Sequence, residues 1–424
     1  MAVNLSTISI GDALPTEGSR SPAWVTLRRL PYPYRAMLAI CSDLDETPDR
    51  RVYWETMRFL NTEDSTSMGH GVGLEVGNTI YFDMPRDQFA YWNTDDKGRA
   101  MVRSLIRSGH IDCLHSFGDL ATTRAHAGRA LDELERAGCH IGVWIDHGVA
   151  ASNFGADIMH GYGDVTDSPV YHADLTCSYG IRYIWRGRVT SVIGQNVARS
   201  LSGIYSRHHP LASVKTAMKE FLKTGLPGAE QGKYAIHVEN QVLKEVSLRS
   251  GQSVEEFLRA NPHWGGVSCG ETAEGIHEVL TETMLNRLIR REGMCILYTH
   301  LGKIRRREEP FGPQARNTFQ RLAAACNQGK ILVTTTQRVL DYCHMLSRVT
   351  IKTTTSENRL CISVSTGPSG PVDCNGLSFY VADPQHTEVE VNGKKIQNLR
   401  QNPIDHTKQA SVSIPWRRLE FPRL

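Results

Sequence analysis

Four stretches of this chain run from apolar residues into Asp or His side chains of the kind that hold metals and move protons. In the first, residues 36–46 read Ala-Met-Leu-Ala-Ile-Cys-Ser-Asp-Leu-Asp-Glu. The six apolar or small residues suit a fully buried strand. Asp43 and Asp45 follow at alternate positions, so both carboxylates point roughly the same way. The second stretch, Ile111-Asp-Cys-Leu, leads to His115 and Asp119, the third, 141–145, to Asp146 and His147, and the fourth, Cys295-Ile-Leu-Tyr, to His300. A hydrolytic metal site needs a few protein ligands and one position left for water, whose pKa the ion lowers toward ~7. On this reading Asp45 and His115 are ligands, joined by Asp119, His147 or both. Asp43 is left as the base that takes the water's proton and His300 as the acid that protonates the leaving group. An acidic strand end also serves as a helix cap, and a single His is commonly structural. Four such ends in one chain favour a site.

The elements that must position these groups alternate. Apolar strand-like runs from residue 36 onward are separated by helical patterns at 51–60, 95–108, around Leu131 and Leu134, at 214–223 and at 313–327. The longest helical pattern is expected over 272–292, with apolar residues Ile276, Val279, Leu280, Met284, Leu285, Leu288 and Ile289 at helical spacing. Residues 71–84 read as extended chain, a hairpin turning at Gly77-Asn78, and residues 224–270 as a long loop. Alternating strand and helix imply an α/β fold with parallel strands. If the sheet is a barrel, the strand C-termini face one shared site. After residue 348 the pattern changes to period 2, and Asn392-Gly393 is a hairpin-turn signal. The expected division is a lead-in arm at 1–34, a barrel at 35–348 and a small antiparallel β domain at 349–424.

The 424 residues carry a net charge of +3, with 40% hydrophobic and 22% charged residues, as in an ordinary soluble domain pair. So small a positive charge argues against a nucleic-acid partner. No apolar run approaches the ~18 residues of a membrane span, and residues 1–24 lack a signal-peptide pattern. The ten cysteines form no CxxC pair. Reduced thiols and a cytoplasmic location are expected.

At this point the chain resembles the polysaccharide deacetylases. Ser42-Asp43-Leu44-Asp45 is similar to their first motif, in which one aspartate is the base and the next a metal ligand. His115-Ser116-Phe117-Gly118-Asp119 is similar to their His-Ser/Thr-x-x-His motif, with Asp119 in place of the second His. Leu297-Tyr-Thr-His300 is similar to their late Leu-x-His motif, with one extra residue. The resemblance covers residues 36–345 and implies a distorted (β/α) barrel of about seven parallel strands. It also implies a divalent metal, zinc or one like it, which accepts both carboxylate and imidazole ligands. Asp119 ligates, or His147 replaces the missing His, or both do. Trp144-Ile-Asp146-His147-Gly148 with Asn153 stands near the place of the family's arginine-containing motif. Asp146 and Asn153 are therefore read as substrate-binding, with loop capping as the alternative. Trp264 is read as a platform for a sugar ring, with loop packing as the alternative.

The function expected is metal-dependent deacetylation of an N- or O-acetylated sugar or related amide. The alternatives are another metal-dependent hydrolase on the same barrel, cleaving a different C–N or glycosidic bond, and a catalytically silent glycan-binding barrel. The C-terminal β domain is open to sugar binding, covering the barrel or oligomer formation.

Overall fold

The computed structural model describes residues 6–8, 24–44, 47–148, 150–200, 203–204, 210–225, 234–263, 272–356, 359–367 and 373–424. Asp45 and Trp264 lie outside the described residues. The chain forms two compact units, Met1–Arg35 with Asp341–Arg418, and Ala36–Leu340 with Leu419–Leu424.

The larger unit is built on strand β1, Ala36–Ser42, buried along its whole length. An unbroken apolar run of this kind belongs in a parallel sheet covered on both faces. Around it run β2 (Asn78–Ile80), β3 (Ile111–His115), β4 (Val143–Ile145), β5 (Tyr183–Trp185) and β6 (Val189–Thr190). The rest are β7 (Leu243–Ser247), β8 (Ser253–Phe257), β9 (Arg259–Ala260), β10 (Met294–Thr299) and β11 (Ile331–Val333). All eleven belong to one curled, half-barrel sheet, in the order β6-β9-β10-β1-β2-β3-β4-β5-β8-β7 with β11 on β1. Every pairing in it is parallel except the β7–β8 hairpin. One edge of β1 pairs with β10 from Met37 to Ser42. The other meets β11 at its start and β2 at Ser42.

Helices begin where the caps allow. Asp49, Asp95 and Thr123 accept backbone N–H groups at the starts of Arg50–Asn61, Asp96–Arg107 and Arg124–Arg136. The helical pattern at 272–292 is not one helix. A turn at Ile276–Val279 is separated from Glu282–Arg291, because the Thr281 side chain caps the second helix by accepting from Met284 N. The expected Gly77-Asn78 hairpin is likewise absent: Asn78 opens β2, a parallel strand between β1 and β3. The stretch expected as a loop at 224–270 holds β7, β8 and β9. Ser250 and Gly251, the latter at φ 92°, turn the hairpin between β7 and β8.

The smaller unit carries two sheets. One takes Ser6–Ile8, Thr350–Ser356, Arg359–Ser365, Thr387–Val391 and Lys394–Lys395; the other takes Val25–Arg28, Ser378–Val381, Arg400–Asn402 and Ser411–Ser413. The segment expected as a lead-in arm thus contributes strands here. All pairings are antiparallel but one, Arg359–Ser365 with Thr387–Val391. Asn392 and Gly393, at φ 49° and 76°, make the hairpin turn that their types imply. Among the described residues no helix is long and apolar enough to cross a membrane, and every cysteine is a free thiol.

Candidate active site

Parallel pairing brings the C-terminal ends of β1, β3, β4 and β10 to one side of the sheet. Asp43 is the residue after β1. Its N–H donates to Thr299 O at 3.1 Å, and Ser42 Oγ accepts from Leu301 N at 2.9 Å, so the ends of β1 and β10 are tied together. His115 ends β3, where Ser116 N donates to Ile145 O of β4 at 2.8 Å. Ser116 has φ 48°, a left-handed conformation uncommon outside glycine, and such strain gathers at functional sites. Gly118 follows at φ 96°. A Cβ there would stand 2.2 Å from Asp83 O, so the loop's path requires glycine.

Asp43 is buried at 2% exposure and is gripped by Arg259, which is fully buried. Arg259 Nη1 donates to Oδ2 at 3.1 Å and Nη2 to Oδ1 at 3.0 Å, a bidentate pair. The guanidinium lies over the rings of Trp185 and Tyr298, 4.1 and 5.1 Å from their centroids. His115 Nδ1 stands 3.8 Å from Asp43 Oδ1, and His300 Nε2 stands 3.6 Å from Oδ2. Both distances are too long for direct hydrogen bonds. Burial pushes the Asp43 carboxyl up, but the Arg259 charge, with His115 and His300 adding to it, holds it well below the usual carboxylate range. Burial moves both imidazoles the other way. It takes His115 well below its ordinary value and His300 down to about 4, against the pull of Asp43. Both are neutral near pH 7.

His147 completes the cluster. Its ring centroid is 4.7 Å from that of His115, and Tyr81 stacks on His115 at 4.6 Å. His147 Nδ1 lies 3.1 Å from Asp119 Oδ1, within ion-pair distance but without hydrogen-bond alignment. Nδ1 of His115 and of His300 are also buried without a hydrogen bond among the described residues. Orphaned buried imidazole nitrogens are expensive unless something answers them. Imidazole, imidazole and carboxylate are the donor types zinc takes, so His115, His147 and Asp119 fit such an ion chemically. Among the described residues, however, no three His, Cys, Asp or Glu side chains are already gathered around one point for a metal.

The structure therefore brings together Asp43, His115, His147, Asp119 and His300. Asp146 and Asn153 are occupied by their own loop, the capping alternative. Asp146 Oδ1 accepts from Trp144 Nε1 at 2.7 Å and Phe154 N at 2.9 Å, and Oδ2 accepts from Gly155 N at 2.8 Å. Asn153 Oδ1 accepts from His147 N at 3.0 Å while its Nδ2 donates to His147 O at 3.1 Å. They hold His147 in place. Sequence reasoning missed Arg259, Trp185, Tyr298 and Tyr81. The signal for Arg259 was there in the two short runs around Ser250-Gly251, which place it just beyond a hairpin strand. Its partner, 216 residues away, was not readable.

No family model, curated protein or solved structure matches this chain.

Proposed function

We propose that this chain is a metal-dependent hydrolase that removes an acetyl group from an N- or O-acetylated sugar or a related amide. One observation carries the reading: a locked, ionised carboxylate, Asp43, lies between two neutral imidazoles, His115 and His300, that end other strands of the same sheet. A divalent ion, zinc by its ligand types, would be held by His115, His147 and Asp119, together with Asp45 as read from the sequence. When bound, such an ion polarises the acyl carbonyl and acidifies a water molecule.

The chain's own residues would do the rest. Arg259 aims Asp43 and keeps it ionised, so Asp43 can accept the water's proton. His300 is neutral at rest and must gain its proton during turnover. Asp43 Oδ2 is the nearby carrier, 3.6 Å from His300 Nε2. His300 would then pass the proton to the leaving amine or alkoxide. We also read the curled sheet as the distorted barrel this chemistry needs. Three residues separate β5 from β6 and one separates β8 from β9. Taken as two bent strands, they let the pairings return through β10 to β1, a ring of seven.

The test is release of acetate from a panel of N- and O-acetylated sugars, with and without chelator. Activity lost on chelation and restored by zinc is expected. His300→Ala should lower kcat by about 10²-fold or more while keeping the fold. Asp43→Asn should lower kcat as much and also lower stability, because it leaves the Arg259 charge buried without its carboxylate. A protein that binds no divalent ion and hydrolyses none of the panel, yet binds glycans, would instead be the silent barrel.

A further inference from the structure

The helix Pro210–Gly225 faces the wrong way for a helix that only packs on its own protein. Leu211 is 86% exposed, Phe221 72%, Met218 62%, Leu222 58% and Val214 57%. At 100° per residue these five side chains fall within an arc of about 100°, one continuous apolar stripe. Lys215 and Lys219, both exposed, run along one border of the stripe. On the opposite side of the helix Ser213 and Glu220 are buried. Glu220, 1% exposed, accepts from Thr190 Oγ1 at 3.4 Å and Ser191 N at 3.4 Å and has Arg199 Nη2 at 3.6 Å. A buried carboxylate met by an arginine and two donors sets the helix's rotation, because turning it would strand that charge. The apolar stripe is thereby forced outward.

We propose that this helix is a docking surface for an anionic lipid bilayer, lying in the plane of the headgroups without spanning the membrane. The chemistry specifies that occupant. An apolar stripe carrying Phe, Leu and Met, bordered by lysines, is the pattern of an interfacial helix: the apolar side chains enter the acyl boundary and the ammonium groups meet lipid phosphates. A second copy of this face would offer the lysines no exposed carboxylate, since the helix's one acidic residue, Glu220, is buried. The proposal does not depend on the hydrolase reading, since it uses none of that site's residues.

The test is co-sedimentation of the full chain with vesicles of phosphatidylcholine alone and of an equal phosphatidylcholine–phosphatidylserine mixture. Binding is expected to the mixed vesicles, weakening as salt is raised. Lys215→Glu with Lys219→Glu should reduce that binding by about tenfold or more. Leu211→Gln with Met218→Gln should abolish it while leaving the thermal unfolding curve unchanged, since both side chains are exposed. The proposal is overturned if the natural chain does not sediment with the mixed vesicles, or if both variants sediment as it does. It is also overturned if analytical ultracentrifugation finds a dimer without lipid that Leu211→Gln with Met218→Gln converts to monomer.

Discussion

Asp43 and Arg259 stand at the centre of the candidate site, and each makes the other tolerable. Neither charge reaches water, so their attraction and two hydrogen bonds must offset a large desolvation penalty. The aromatic faces of Trp185 and Tyr298 accept the guanidinium where an ammonium would fit poorly. Removing one partner strands the other. Arg259→Met is expected to lower stability by about 3–5 kcal/mol, in line with other broken buried pairs. Adding Asp43→Asn to that variant should return part of the loss, because the remaining group is then neutral. Chemical denaturation of the two singles and the double gives the coupling directly. An Arg259→Met protein as stable as the natural chain would mean that the pair is not formed.

At the scale of elements, the loop after β4 decides where His147 points. Asp146 gathers Trp144 Nε1, Phe154 N and Gly155 N onto one buried carboxyl, and Asn153 clamps the backbone of His147. Asp146→Ala would leave three buried donors unanswered, at about 1–3 kcal/mol each and not fully additive. We expect a loss of roughly 3 kcal/mol or more, read as a lower midpoint in urea. The same substitution should release His147, visible as a broadened imidazole resonance in NMR. An unchanged midpoint would show that the loop does not rely on Asp146. The split at Thr281 carries a related lesson. Apolar spacing alone favoured one long helix, but a threonine hydroxyl that caps Met284 N stops one turn and begins another.

At the scale of the whole molecule, buried neutral histidines make the fold sensitive to acid. His172 sits between Thr176 Oγ1 and Ser152 O, 2.8 Å from each, and burial pushes its pKa down from 6.5 to about 4. His110 is likewise pushed down to about 4 by burial. Below pH 6.5 the unfolded chain binds protons at these positions that the folded chain refuses. Stability from them is therefore complete above 6.5 and is lost as pH falls toward 4. His172→Gln, which keeps a donor toward Ser152 O and cannot titrate, should lose less stability between pH 7 and pH 5 than the natural chain. Denaturation midpoints at the two pH values measure this; equal losses would remove His172 from the account.

Some of this was written locally in the sequence. The run 36–42 could only be a buried strand, and it is. The strand ends at His115 and His300 and the Asn392-Gly393 turn follow from neighbouring residues alone. What only the tertiary structure decided is which distant groups share a space. Nothing near Arg259 says that it will meet a carboxylate 216 residues earlier in the chain, because that meeting depends on β9 and β1 both flanking β10. Nothing in the Gly77-Asn78 dipeptide rules out a hairpin; the edges of β1 and β3 do so by claiming the strand that follows. Asp146 reads as a site residue until the loop folds back and uses its oxygens. Local patterning selects elements, because its forces act within a few residues. The partners of a buried charge are selected by pairing across the whole sheet, where the cost of leaving that charge alone is settled.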